Sequence, residues 1–370
     1  MALGGAGGTM PKTMLAARLH EVGEALRIEQ VPVPEVGPDD VLVKIAACGT
    51  QDGDHQLIHG MLPLNRRPLI IGHEPAGTIA AVGSNVRQVR EGDRVFVSPS
   101  LSCGQCADCR NGNGNYCAQY AVMGMSYFAP PGRERFERYG DGGFAEYMLI
   151  PAGNANPLPD TISFEQAAKI AFLGVALKAA ERAHVRAGAT VIVTGASGAL
   201  GTCAVMCAHA LGATTIVAIA RDAARLERVR QVHPATVISH AAGTDPELEG
   251  VRALLPQKGA DVLIDCLPTA LDVTQRAIGL LRRGGRAVLI GGVRGPINID
   301  YRHFMLSEIE VTGSVGMGPG TYPRVVDLMR SGVVDFTHFI THRFPLAQAN
   351  EAIAAVMAKT GDPLGVVITP

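Results

Sequence analysis

The sequence predicts an α/β fold, with a β-rich domain followed by a doubly wound parallel sheet. Three observations predict it. Short β-branched runs bounded by Gly, Pro and Asp fill the chain from Met14 to about Pro159. Beyond Ser163, apolar strand runs alternate with helical patterns, as in a parallel sheet covered on both faces. One strand-to-helix junction there is Gly-rich, Val193-Thr194-Gly195-Ala196-Ser197-Gly198-Ala199-Leu200-Gly201.

Taken in order, Val41 to Ile45, Thr78 to Val82 and Arg94 to Val97 read as strands. The Ala- and Leu-rich stretch from Phe164 to His184 reads as one or two helices. Thr190 to Thr194 is an apolar strand run, followed by a helical stretch at Thr202 to Leu211 and a strand at Thr215 to Ala220. Further strands are expected at Val262 to Asp265, Arg286 to Ile290 and Ile309 to Thr312. Tyr322 to Met329 and Leu346 to Met357 read as helical, and Gly365 to Ile368 as a final strand. The middle third thus reads as one domain, inserted before a C-terminal piece that returns to the first.

Composition sets the bounds. At about 150 residues per domain, 370 residues make about two domains. An apolar fraction of 47% with 18% charged residues excludes a disordered chain. Lys plus Arg is 33 against 34 Asp plus Glu, a net charge of −1, so the basic surplus that nucleic acid requires is missing. No apolar run reaches membrane-spanning length. Residues Met1 to Met14 are small and Gly-rich, without the basic and apolar regions of a secretory signal. A small-molecule substrate and a cytoplasmic location are the expectation, with neither nucleic acid nor membrane as partner.

Four of the eight cysteines fall together, Cys103, Cys106, Cys109 and Cys117, spaced C-x2-C-x2-C-x7-C. A disulfide scaffold would spread its cysteines along the chain. Four thiolates at these separations close a tetrahedral Zn²⁺ shell with no open position, which makes the metal structural. An iron–sulfur cluster is the rival reading.

The glycines of the Gly195–Gly201 turn let the backbone bend sharply and approach a pyrophosphate at a helix N-terminus. The ribose-reading position at the end of the next strand holds Ala220, followed by Arg221 and Asp222. With no acid at that position to repel a 2′-phosphate and a guanidinium beside it, NADP is favoured over NAD. Asp222 keeps NAD open.

A third motif, Gly72-His73-Glu74-Pro75-Ala76-Gly77 with Gly83 and Val86, completes G-H-E-x2-G-x5-G-x2-V. With the cysteine cluster and the Gly-rich turn, it resembles the zinc-containing alcohol dehydrogenase family of medium-chain dehydrogenases/reductases. The resemblance implies a GroES-like catalytic domain over 14–160, a Rossmann domain over 161–313 and a return to the catalytic domain over 314–370. It also implies a homodimer or homotetramer formed through the Rossmann sheet edge.

The resemblance fails at the family's catalytic zinc. The segment that supplies its first ligand reads Cys48-Gly49-Thr50-Gln51-Asp52-Gly53-Asp54-His55 here, with Gln51 at the ligand position and Gly53 where a relay hydroxyl would stand. The third ligand would align with Phe172 or Ala171, and neither binds metal. His73 and Glu74 remain, with Asp54 expected as the hydrogen-bond partner of His73. Two ligands hold a catalytic zinc poorly, since such sites typically have three. Asp52 is the one available substitute, and a purely structural His73 bonded to Asp54 is the plainer alternative.

Hydride delivery does not itself need the metal when the acceptor is activated by conjugation. His73, Gln51, Asp52 and His55 are then the candidate hydrogen-bond donors or proton sources, and Phe172 would fill the vacated metal volume with an apolar ring. The leading expectation is an NAD(P)H-dependent reductase of an activated C=C, C=N or C=O bond. A zinc-dependent alcohol dehydrogenase or carbonyl reductase with atypical ligands is the alternative, and a catalytically silent cofactor-binding protein the third.

Overall fold

The computed structural model describes residues 10–232, 237–241, 245, 247–318 and 320–370. Most of the Gly-rich N-terminal stretch, residues 1–9, lies outside them. The chain forms two compact units. One comprises the chain up to Cys109, Tyr116–Ala168 and Ile340–Pro370, and the other Arg110–Asn115 and Lys169–Phe339.

The first unit is β-rich, as expected. Its seven-stranded sheet runs in the order Ala155–Pro157, Arg94–Val97, Glu74–Val82, Asp40–Thr50, Gly365–Thr369, Ile340–Pro345, with Tyr147–Pro151 also paired to Asp40–Thr50. The C-terminal strand Gly365–Thr369 lies antiparallel to Asp40–Thr50, so the end of the chain does return to this unit. The central strand Asp40–Thr50 is buried along most of its length, which its near-continuous apolar run dictates. A smaller sheet, Arg27–Pro32, Thr13–Leu19, Leu69–Ile70, closes the same core, with Met14, Leu19, Leu57 and Phe144 buried in it.

The glycines of the G-H-E motif follow from this packing. Gly72 has φ +96 and lies against the Phe144 ring, where a Cβ would come within 2.3 Å. A Cβ on Gly77 would lie 2.1 Å from the Lys44 carbonyl oxygen on the neighbouring strand, and one on Gly83 2.1 Å from that of Gly37. These glycines serve strand packing, and only His73 and Glu74 of the motif carry side chains with chemistry.

The second unit holds six parallel strands in the order Val237–Ala241, Thr215–Ala220, Thr190–Thr194, Ala260–Asp265, Leu281–Leu289, Glu310–Gly313. In chain order that is 3-2-1-4-5-6, the doubly wound order that binds dinucleotides where it reverses. The strand Thr190–Thr194 is buried throughout. It leads into the helix Ala199–Ala210, which is buried over most of its turns by Ala, Cys, Val and Met.

The division between the units differs from the expected limits at 160/161 and 313/314. It falls at 168/169 and 339/340. The helix Phe164–Ala167, capped by Ser163, packs on the strands Asp40–Thr50 and Glu74–Val82 of the first unit. The helix Thr321–Arg330 buries Tyr322, Val325 and Val326 and packs on the helix Ile170–Arg182 of the second. Amphipathic helices go with the face that buries them, and sequence periodicity does not name that face.

Gly83→Ala is expected to lower the melting temperature, by a strain of about 1–3 kcal/mol, because its Cβ meets backbone rather than a movable side chain. Thermal unfolding of the variant checks this; an unchanged midpoint would contradict the packing argument.

Candidate functional site

In the first unit, antiparallel pairing sets Gly49 opposite Glu74 and Cys48 opposite Pro75. The residues just beyond these ends, Gln51 and His73, are thereby brought face to face. Gln51 Nε2 lies 2.5 Å from His73 Nε2 and 3.4 Å from Glu74 Oε1. On the far side of the ring, Asp54 Oδ1 lies 3.3 Å from His73 Nδ1. The other oxygen of Asp54 accepts from the Thr50 hydroxyl and the Gln51 backbone N–H, each at 3.0 Å, and so starts the helix Asp52–Ile58. Asp54, His73 and Glu74 are all buried.

With the imidazole proton assigned to Nδ1, the nitrogen beside Asp54, the Nε2 lone pair faces Gln51. The Gln51 amide donates into that lone pair and also points toward the Glu74 carboxylate. The same amide group therefore addresses the two donors that would have remained for a metal. Gln51, His73 and Glu74 thus present one neutral amide, one imidazole and one carboxylate. Gln51 offers a neutral amide and turns its nitrogen, not its oxygen, toward the ring. Among the described residues, the four clustered cysteines are the one group of three or more His, Cys, Asp or Glu side chains whose ligand atoms converge.

Other expected members of the site stand apart. Asp52 accepts a hydrogen bond from Gln56 within its own helix. His55 packs against His59 with ring centroids 4.1 Å apart and planes tilted by 53°, and burial, then the charge of His59, lower its pKa. It is therefore a neutral donor or acceptor near pH 7. Gly53 leaves space that is bordered by Met125: a Cβ there would lie 3.2 Å from the Met125 methyl and 3.6 Å from His73 Cε1. Sequence reasoning missed Met125, because nothing in its neighbourhood distinguishes it from a core methionine. It also missed Lys169, which is buried in the second unit with Nζ 5.0 Å over the ring of Phe172.

The cysteine lobe is built on the strands Ser100–Leu101, Ala121–Val122 and Ser126–Tyr127 and the short helix Ala107–Arg110. The Sγ atoms of Cys103, Cys106, Cys109 and Cys117 all lie within 4.8 Å of one another. Those of Cys103 and Cys109 are 3.8 Å apart. A tetrahedral shell with Zn–S near 2.3 Å spaces its sulfurs by about 3.8 Å, so the cluster fits one ion. Backbone N–H groups point at the sulfurs, from Cys106 to Cys103 at 3.3 Å and from Gln119 to Cys117 at 3.4 Å. The N–H groups of Gln105 and Cys106 pull the Cys103 thiol down to about 6. Cys106, although the Cys109 N–H lies on its sulfur, is pushed up to about 11 by the Cys109 thiol and by burial. Crowded thiols cannot all ionise without a cation between them, and Zn²⁺ supplies it.

In the second unit, Gly195 has φ +64, and a Cβ there would lie 3.0 Å from the Cys266 carbonyl oxygen. A Cβ on Gly201 would lie 2.2 Å from the Gly195 carbonyl oxygen. Gly198 caps the helix Ala199–Ala210, and with Ala196, Ser197, Ala199 and Leu200 completes a turn that admits a pyrophosphate against backbone N–H groups. Arg221 is exposed just past the strand Thr215–Ala220. Asp222 is engaged elsewhere: Oδ1 accepts from the N–H groups of Ala224 and Arg225, at 2.8 and 3.3 Å. The turn and strand ends fit a nicotinamide dinucleotide.

Comparison with known proteins agrees with this arrangement. Residues 37–160 match the alcohol dehydrogenase GroES-like domain, and residues 199–331 the zinc-binding dehydrogenase domain. A sorbitol dehydrogenase of Bacillus subtilis (strain 168) is 32% identical over 368 residues, covering 98% of this chain and 99% of its own. The chain belongs to the zinc-containing alcohol dehydrogenase family of medium-chain dehydrogenases/reductases. It is an NAD(P)-dependent oxidoreductase acting on a small molecule. An L-idonate 5-dehydrogenase of Vitis vinifera is 31% identical over 337 residues, 88% of this chain and 86% of its own. A zinc-binding dehydrogenase of Sinorhizobium meliloti 1021, solved bound to NADP, superposes with a TM-score of 0.85 at 29% identity, covering 97% of this chain and 100% of that one. A cobalt- and zinc-bound alcohol dehydrogenase of Pyrobaculum aerophilum superposes at 0.82 with 27% identity, covering 97% and 100%. Among the described residues no helix is long and apolar enough to cross a membrane.

Within this family the cysteine lobe should hold its fold through metal. Cys106→Ser is expected to lose zinc and lower the melting temperature, and a strong chelator to do the same to the unmodified chain, since such sites contribute about 10–16 kcal/mol of apparent binding energy. Zinc analysis with thermal unfolding checks this. Equal midpoints with and without metal would contradict it.

Proposed function

We propose that this dehydrogenase transfers hydride between NADP(H) and an activated acceptor, an enone, iminium or conjugated carbonyl, without a catalytic zinc. The carrying observation is the 2.5 Å contact between the Gln51 amide and His73 Nε2. It places a hydrogen-bond donor on the lone pair a catalytic metal would need. One zinc per chain, on Cys103, Cys106, Cys109 and Cys117, has a structural role.

The bound nicotinamide supplies the hydride. Gly195, Ala196, Ser197, Gly198, Ala199, Leu200 and Gly201 hold its pyrophosphate through backbone N–H groups, and Arg221 pairs with a 2′-phosphate. Asp222, committed to its own helix, supports NADP over NAD. On the substrate side, the neutral His55 is the donor for an oxygen that gains negative charge, since both hydrogens of the Gln51 amide are engaged by His73 and Glu74. Glu74 and Asp54 orient Gln51 and His73 as hydrogen-bond acceptors. Without a metal to lower the pKa of a bound alcohol, alcohol oxidation at neutral pH is disfavoured and reduction of a conjugated acceptor is favoured.

A second reading rests on the relatives' names, sorbitol dehydrogenase and L-idonate 5-dehydrogenase. It is a zinc-dependent alcohol or polyol dehydrogenase with an atypical ligand set. Self-association is supported by the exposed Ile299, Tyr301, Met305, Leu306 and Val315 around the edge strand Glu310–Gly313. We place the chain in the reducing cytoplasm, a reading supported by the convergence of Cys103, Cys106, Cys109 and Cys117, whose thiolates must stay reduced to hold a metal.

Zinc stoichiometry and a substrate screen decide between the two readings. One zinc per chain, unaffected by His73→Ala, with NADPH oxidised by enones and NADP+ not reduced by polyols, is the expected outcome. A second zinc lost in His73→Ala would replace this reading with the zinc-dependent one. Arg221→Ala is expected to raise the Michaelis constant for NADPH about tenfold, by loss of a charge-assisted contact, and that for NADH little. Equal changes for both would remove the NADP preference.

A further inference from the structure

We propose that Asp265 is a positioning residue for the dinucleotide turn, acting through Thr194. It rests on the assignment of the Gly195–Gly201 turn to the cofactor and is independent of the zinc reading.

Asp265 ends the strand Ala260–Asp265, and its carboxylate bonds the side chain of Thr194, the residue that enters the turn. Its Oδ1 accepts from the Thr194 hydroxyl at 2.5 Å and from the Thr274 hydroxyl at 3.1 Å. The Leu267 backbone N–H also bonds the carboxylate. All three side chains are buried, at 3%, 0% and 1% exposure for Asp265, Thr194 and Thr274. Burial pushes the Asp265 pKa up, and the two hydroxyls and the N–H pull it down.

The backbone around it ties three strand ends together. Cys266 N–H donates to the Thr194 carbonyl at 3.2 Å, and Ile290 N–H to the Asp265 carbonyl at 2.9 Å. Gly195 rests against Cys266, leaving no room for a larger residue without displacement. Gly291 does the same against Leu267, where a Cβ would lie 2.1 Å from the carbonyl oxygen. These are the carboxyl ends of the strands Thr190–Thr194, Ala260–Asp265 and Leu281–Leu289, the side on which such sheets bind ligands.

Burying an acid is unfavourable unless it is hydrogen-bonded, and apolar packing would serve the fold as well. What apolar packing cannot supply is a directional hold on the residue that enters the turn. Thr194 immediately precedes Gly195, so its hydroxyl fixes where the φ +64 bend begins. A turn fixed in advance spares the cofactor the cost of ordering it. Thr274 lies on the helix Leu271–Ile278 and gives the same oxygen a donor without touching the turn.

Two near-isosteric variants therefore separate positioning from stability. NADPH affinity is read by fluorescence titration without substrate, alongside thermal unfolding. Thr194→Val is expected to weaken NADPH about tenfold, the scale of losing a hydrogen bond to a charged group. Thr194→Ser should restore affinity to within about twofold. Thr274→Val should lower the melting temperature and leave NADPH affinity within about twofold of wild type. Equal losses of affinity in the two valine variants, or unchanged affinity in Thr194→Val, would overturn the proposal. If the wild type itself bound no nicotinamide nucleotide, the cofactor assignment would fall first and this inference with it.

Discussion

The proposed chemistry of this chain turns on one hydrogen bond, from the Gln51 amide to Nε2 of His73. An imidazole nitrogen offers one lone pair, to a metal or to a donor but not to both. Three things hold the arrangement. The antiparallel register between Asp40–Thr50 and Glu74–Val82 brings the two residues together. Asp54 faces the opposite ring nitrogen, with Oδ1 3.3 Å from Nδ1. Glu74, buried beside them, gives the amide a second acceptor. Each of these would survive in a zinc-bearing site; the amide in place of a thiolate is what changes the outcome.

Much of the fold was legible because its signals are local. Apolar runs marked the strands of the parallel sheet, and the glycine spacing marked a turn where backbone must bend at positive φ and pack against other backbone. The cysteine spacing was legible for a related reason: a tetrahedral ion needs four thiolates, and only a short loop brings them into reach. What could not be read was which unit claims a helix. Thr321–Arg330 has the amphipathic pattern of any surface helix, and only its packing on Ile170–Arg182 assigns it to the second unit.

The site was legible in part for the same reasons. Gln51, Asp54, His73 and Glu74 converge, because strand pairing and a helix cap act over short distances. Asp52 and His55 are neighbours of Gln51 in the chain, but helical rotation turns them to other partners, Gln56 and His59. Asp265 was invisible because an acid ending an apolar strand reads as a surface charge. Its donors come from Thr194 and Thr274, whose meeting depends on the parallel sheet having formed. Met125 and Lys169 were hidden likewise, since neither residue type announces a site at the level of sequence.

The energetic consequence of exchanging a metal for hydrogen-bond donors sets the direction of the proposed reaction. A divalent ion acts as a Lewis acid worth several kcal/mol and makes an alcohol acidic enough to give up its proton near neutral pH. A single well-placed neutral donor contributes about 2.7–4 kcal/mol to a developing oxyanion but acidifies an alcohol far less. The donor's contribution is thus of use where the substrate itself spreads the charge, as a conjugated acceptor does when hydride arrives at one end and charge collects on oxygen at the other. The polyols of the relatives' names carry no such conjugation. In the proposed reaction, a site holding Gln51 where a metal ligand would stand therefore selects among acceptors by their electronic structure before any pocket wall selects by shape.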